Sequence, residues 1–353
     1  MKHIRQLDGL RFIAVSLVLL EHYAIILGRH ISAGYYGVDL FFVISGFLIT
    51  SILVKSEESF LNAYKKFIGR RTLRIFPIYY LTILVLLLIG NEYVSKYLVY
   101  CLTYTYNYAW VYFNIPMNSI THFWSLCIEE QFYLFWPFII LGLRKHPMIL
   151  KYVILTVIII CSLQILFNII PSVTPYNFVG IFPQANSLGI GALGALLNRN
   201  NKYTADILEN KWIEILSVVL LLYLLNSTYN IKYIICPFIS LYFVLKTAHK
   251  GFGFTAVNNF LQHRAIVYIG SISYGIYLFH LPIGFYLTQN IFEPYIWNRI
   301  NWNSLGDFKT LQRYSWVIKL PVYSLITIGI AHLSYHYIEK PILSLKDKWF
   351  KYS

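Results

Sequence analysis

Apolar positions along this chain gather into continuous runs rather than alternating or striped patterns. Ten runs of roughly 13 to 24 residues can be marked, and a helix crossing a bilayer needs about 20. They predict spans at Leu10–Leu27, Gly37–Val54, Ile75–Ile89, Ile128–Leu143, Tyr152–Ile170, Ile181–Leu197, Trp212–Leu225, Tyr233–Leu245, Ala265–Thr288 and Trp316–Ile338. The sixth is rich in Gly and Ala, which lets membrane helices approach closely. The expected architecture is all-α and polytopic, one membrane domain over residues 1–353 with no room for a large soluble domain. Leu98–Phe113 is apolar by count but carries Thr103, Thr105 and Asn107. It reads as part of a long outer loop, 91–125, that is partly re-entrant. Backbone of that kind is tolerated at membrane depth only where protein or a wet cavity surrounds it.

Composition sharpens this reading. The chain is 58% hydrophobic and 12% charged, with a mean hydropathy of +0.57. Ordinary globular chains carry about 25% charge, so a soluble enzyme and a disordered chain are both excluded. The net charge of +14 does not point to nucleic acid, because the basic residues sit between apolar runs. With ten spans and a cytoplasmic N-terminus, 22 of the 29 Lys and Arg fall on inner segments, as the positive-inside bias requires. Counting 98–113 as an eleventh span would put Arg144, Lys145 and Lys151 outside. The first run is a span, not a cleaved signal: Glu21 and His22 interrupt it and no small-residue cleavage site follows. Cys101, Cys127, Cys161 and Cys236 contain no CxxC pair, hence neither a zinc motif nor a disulfide framework. Many of the 31 tyrosines fall near span ends, as interface belts do.

Ionisable groups inside spans are costly and usually functional. In span 1, Arg11 and His22 are eleven residues apart. At about 100° and 1.5 Å per residue they share one helix face about 16 Å apart. A second cluster is the basic stretch Lys65 to Arg74, followed by Pro77, which suits the first turn of span 3. Arg71 and Arg74 share a face if the stretch is helical, and paired guanidinium forks match phosphate; a topogenic loop touching anionic headgroups is the alternative. A third is His122, Trp124 and Ser125, then Glu129 and Glu130 at the outer start of span 4, where the helix dipole also favours carboxylates. Asp39 opens span 2 at the same level. A fourth is His280 in span 9. His332, His336 and Glu339 share a face near the inner end of span 10 and form a weaker metal candidate. The predicted outer loop Gln289–Ser315, with Trp297, Trp302 and Tyr314, offers aromatic rings to a sugar or to the membrane interface.

Several segments together resemble the acyltransferase-3 family of integral-membrane O-acyltransferases, which modify surface polysaccharides and lipopolysaccharide. They are Leu7–Arg11 with His22, Gly37–Ile49, Arg70-Arg71-x-x-Arg74-Ile75-x-Pro77, Trp124 to Tyr133, Ser273–His280 and Glu339-Lys340-Pro341. They run in family order from residue 7 to 341, and their combination is far more specific than any one. The resemblance implies ten spans with both termini inside, in a bacterial cytoplasmic (inner) membrane. It implies an acyl-CoA donor, usually acetyl-CoA, no metal, and a glycan or glycolipid acceptor such as O-antigen, capsule or exopolysaccharide. Membrane lipids are the surrounding partners and a homo-oligomer is compatible. Some members carry a fused extracytoplasmic hydrolase-like domain; the chain is expected to act without one. The alternative is an acyl carrier that hands the group to a separate transferase.

On this reading Arg70, Arg71, Arg74 and Arg11 bind the CoA phosphates. His22, whose unperturbed pKa is near neutral, takes the proton of the attacking hydroxyl. Glu130 or Glu129, with Asp39 as a further candidate, orients the imidazole. Trp124 and His280 are expected to meet the substrate. Direct transfer and a route through an acyl-enzyme both fit these residues.

Overall fold

The computed structural model describes residues 4–24, 32–167, 181–197, 201–227, 230–296 and 315–350, and every regular element among them is helical. In chain order these are α1 (Arg5–Tyr23), α2 (Ala33–Val54), α3 (Phe60–Leu88), α4 (Glu92–Lys96), α5 (Leu98–Leu102) and α6 (Tyr106–Tyr112). There follow α7 (Phe123–Leu143), α8 (Pro147–Phe167), α9 (Ile181–Leu196), α10 (Lys202–Glu209), α11 (Lys211–Leu225) and α12 (Lys232–Ala248). The chain then forms α13 (Thr255–Gln262), α14 (Arg264–Ser271), α15 (Ser273–Leu287), α16 (Trp316–Ser334) and α17 (Lys340–Trp349). A π-helical stretch Thr288–Ile296 extends α15, and another, Tyr335–Glu339, joins α16 to α17.

Over the described residues, each of the ten predicted runs falls on helix. Five helices are long and apolar enough to cross a membrane, or six if α14 and α15 are one span. Those two meet at a bend of 68°, so the ninth predicted span is not one continuous helix. Among the others, α9 has 16 residues, α11 has 15 and α12 has 17. These are shorter than the roughly 20 an upright crossing needs. The surface is apolar where lipid would lie: Leu88, Leu216, Leu222 and Leu325 are all strongly exposed. This is the outside of a multi-pass membrane protein rather than of a water-soluble one.

At the centre, α2 packs against α1 and α9. Glycine makes these approaches possible. A Cβ at Gly46 would run into the Leu188 carbonyl of α9, one at Gly191 into the Val43 carbonyl of α2, and one at Gly37 into the Ala14 carbonyl of α1. The expectation from the Gly-rich sixth run therefore holds, and these contacts are between helices of one chain.

Two local expectations are corrected. Pro77 is not in the first turn of a span: α3 starts at Phe60 and carries Pro77 in its interior. The basic stretch is helical because its own faces are packed, Phe67 on Tyr133 of α7 and Gly69 under Phe350. Segment 91–125 is also not a plain loop but contains α4, α5 and α6. It folds back on α3, where Tyr79 and Tyr80 donate to the carbonyls of Cys101 and Leu102, each at 2.9 Å. All four cysteines are free and buried.

Candidate active site

Three guanidinium groups from two helices meet in one cavity. On α1, Arg11 is held by buried Asp8 through Nη1 and Oδ1 at 2.6 Å. On α3, one helical turn separates Arg71 from Arg74. The Arg71 guanidinium lies over the rings of Tyr133, 4.9 Å from its centroid, and Phe67, at 5.6 Å. The cavity's lining includes Arg11, Arg71, Arg74, Glu129, Ser125 and Tyr277. Glu129 is the carboxylate in that lining. It accepts hydrogen bonds from Ser45 at 2.5 Å and from Tyr133. Three arginines stand against two committed carboxylates, Glu129 in the lining and Asp8 on Arg11; the charge left over attracts anions, and guanidinium forks favour phosphate.

Ser125 and Tyr277 form another wall, their hydroxyls 2.6 Å apart. Ser125 donates to the His122 carbonyl at 3.0 Å, so the Tyr277 hydroxyl donates to Ser125. Behind them lie three imidazoles. The Tyr277 ring is 5.3 Å from that of His280 and 5.6 Å from that of His122. His280 lies between the other two, 4.9 Å from His22 and 4.8 Å from His122 by ring centroids. The His22 Nδ1–H donates to the Val18 carbonyl one turn back at 2.9 Å. The neutral ring then carries its lone pair on Nε2, the form a general base needs.

A family model described as "Acyltransferase domain" (acyltransferase-3) matches residues 4–336. The chain belongs to this acyltransferase-3 family. Among its relatives is YrhL of Bacillus subtilis, named as a candidate peptidoglycan O-acetyltransferase. It is 29% identical over 375 residues, which cover 97% of this chain and 55% of the relative. The peptidoglycan O-acetyltransferase OatA of Listeria monocytogenes is 26% identical over 374 residues, 97% of this chain and 56% of its own. The O-acetyltransferase OatA of Staphylococcus aureus is 26% identical over 382 residues, 99% of this chain and 58% of its own. The chain thus spans little more than half the length of these relatives. No solved structure matches it.

The acyltransferase-3 motifs converge in space, though not every residue they suggest reaches the cavity. Arg11, Arg71, Arg74 and Glu129 do; His22 and His280 stand together behind it. Arg70 does not, because adjacent helix positions diverge by about 100°. Its Nη1 donates instead to the carbonyls of Phe350 and Lys346 of the C-terminal segment, at 2.8 and 3.4 Å. Glu130 diverges from Glu129 for the same reason. It lines a separate recess with Arg71, Thr103, Tyr104, Gln131 and Tyr133. Neither carboxylate orients His22, whose Nδ1 is held by the backbone of its own helix. Asp39 is fully buried between helices, accepting from Ser187 of α9 at 2.5 Å and Ser240 of α12 at 3.0 Å. Trp124 packs edge-on against Phe42 of α2 at 6.4 Å, outside the cavity lining.

The inner-end cluster also separates. The Tyr268 hydroxyl bridges His332 Nδ1 at 2.5 Å and His336 Nε2 at 3.4 Å, while Glu339 accepts from Ser334. Trp297, Trp302 and Tyr314 lie outside the described residues, as does the end of the first predicted span. Sequence reasoning did not single out Ser45, Tyr133 and Tyr277 as site residues. Each sits inside a family motif, and two lie on the face of a chosen residue: Tyr133 four after Glu129 and Tyr277 three before His280. For those two helical periodicity is the signal available; Ser45, six after Asp39, lies on a different face from it.

Proposed function

We propose that this chain is an O-acyltransferase of the bacterial cytoplasmic membrane that moves an acyl group, acetyl by family habit, from CoA to a hydroxyl of a cell-envelope glycan. The observation that carries the reading is the convergence of Arg11, Arg71 and Arg74 on one cavity. Such a set suits the phosphates of a nucleotide thioester. The pantetheine arm then extends past Ser125 and Tyr277 toward His22. His22 Nε2 takes the proton of the glycan hydroxyl as its oxygen attacks the thioester carbon, and returns it to the departing CoA thiolate. The Val18 carbonyl, rather than a carboxylate, sets the tautomer. Peptidoglycan is the favoured acceptor class because relatives are named for it; O-antigen, capsule and exopolysaccharide follow. The carrier alternative uses the same arginines but passes the acyl group to another transferase.

The test is reconstitution in liposomes with acetyl-CoA on one side and a peptidoglycan fragment or envelope oligosaccharide on the other. The expected result is an acetyl ester on the glycan, detected by mass spectrometry and lost in His22→Ala. Acetyl-CoA consumption with no esterified glycan supports the carrier alternative. A folded protein that consumes no acetyl-CoA with any acceptor overturns the proposal.

A further inference from the structure

His122 and His280 are buried imidazoles with no part in the step above, and each has one nitrogen without a hydrogen-bond partner. His122 Nε2 donates to the Leu278 carbonyl at 2.9 Å, and its Nδ1 is buried and unpartnered. His280 Nδ1 donates to the Tyr277 carbonyl at 2.5 Å, and its Nε2 is buried and unpartnered. A carbonyl can only accept, so both rings, when neutral, carry their proton on the bonded nitrogen and a lone pair on the other. Two acceptor lone pairs thus lie in a cluster that supplies neither of them a donor. Burying such atoms unpaired is costly, and a proton-handling role is one of the ways a native protein accounts for them.

Resting on the assignment of His22 as base, we propose that His280 and His122 are positioning residues that share the proton His22 takes up. The transfer balances within the cluster. The acceptor O–H bond breaks and its proton goes to His22 Nε2; the new C–O bond forms and the C–S bond breaks. While the tetrahedral intermediate lives, the extra proton is shared with the lone pairs of His280 Nε2 and His122 Nδ1, directly or through one water. It then returns through His22 to the thiolate sulfur, and all three rings end neutral. The ring spacings suit this sharing, with His280 between the other two. The ionisable groups facing His280 are His22 and Tyr23 of α1, His122 at the start of α7, and Tyr277 of its own helix, with Tyr323 of α16 behind Tyr23. Among the described residues none of these is a carboxylate; Glu129 and Glu21 act on Tyr277 from further off, so the cation that forms here is spread chiefly over the imidazoles. Tyr23 fixes the His280 backbone, donating to its carbonyl at 2.7 Å while bonded to Thr327 at 2.8 Å.

The variants that test this keep each ring's structural bond and remove its basic nitrogen, since an amide oxygen accepts hydrogen bonds but does not take up the proton. In His280→Asn the side-chain amide can still donate to the Tyr277 carbonyl, and in His122→Gln to the Leu278 carbonyl. The first readout is the titration of histidine-labelled protein in liposomes by ¹⁵N solid-state NMR, without substrate. In the wild type His122 and His280 should titrate as a coupled pair, and His280→Asn should move the His122 midpoint. An unmoved midpoint overturns the proposal whether or not the protein transfers acyl groups. The second readout is kinetic. Both variants should lose about tenfold or more in kcat, within the range of proton-transfer contributions. The pH profile should shift and the KM for acetyl-CoA should stay near the wild-type value. Wild-type kcat and pH profile in both folded variants would mean a purely structural role and would overturn it. A wild type that transfers nothing refutes the proposed function, and the spectra still decide the coupling.

Discussion

Glu129 and Glu130 are neighbours in sequence and part company in space. One helical step of about 100° sends Glu129 into the arginine cavity and Glu130 into a recess beside it. The same step separates Arg71 from Arg70, whose guanidinium ties down the C-terminal segment. The residue types were legible in the sequence because charges inside apolar runs stand out; which member of an adjacent pair faces inward depends on the rotation of the helix against its neighbours. Replacing Arg71 or Arg74 with alanine removes charge-assisted bonds worth about 1.5–3 kcal/mol each. CoA affinity should therefore fall by about 10- to 100-fold, as read by calorimetry. Arg70→Ala should leave CoA affinity within about twofold and lower the unfolding midpoint instead. Asp39→Ala leaves the hydroxyls of Ser187 and Ser240 without their acceptor, at a cost of about 1–3 kcal/mol per unsatisfied group. A thermal-shift measurement should show the loss, with CoA affinity retained by the protein that remains folded.

Over the described residues each predicted span lands on helix, since long apolar runs need no packing information to be recognised. Where the helices continue or break was less visible. The stretch before Pro77 reads as a basic loop by charge, yet it is helical because Phe67 and Gly69 pack against α7 and the C-terminal segment. The ninth span reads as one apolar run but bends by 68° between α14 and α15. Gly270 and Gly275 belong to this region, and a Cβ on Gly270 would meet the Asp8 carbonyl of α1. Helix contact is thus carried by particular glycines. Gly46→Val would drive its side chain into the Leu188 backbone of α9, and overpacking of this kind costs about 1–3 kcal/mol or more. The yield of folded protein, followed by size-exclusion chromatography, should fall sharply. Gly142→Ala, where a Cβ meets nothing nearby, should behave as wild type.

At the scale of the molecule, an apolar exterior surrounds a core that brings three arginines, a carboxylate and three imidazoles together from α1, α3, α7 and α15. Asp39 is built elsewhere, between α2, α9 and α12, and pins the frame rather than the chemistry. The charge distribution, with 22 of 29 Lys and Arg on predicted inner segments, makes a topology prediction. Cysteines placed at Lys65 and Lys145 should react with a permeant thiol reagent only, and one at Glu92 with an impermeant reagent in intact cells. Labelling of all three by the impermeant reagent would contradict the ten-span arrangement. The account stands or falls most directly on whether the arginine cavity is the donor site. The measurement is acetyl-CoA binding by purified protein in detergent, wild type beside Arg71→Ala and His22→Ala. The account predicts binding by wild type and His22→Ala alike, with affinity lost in Arg71→Ala. Equal binding by folded Arg71→Ala, or none by folded wild type, would contradict it.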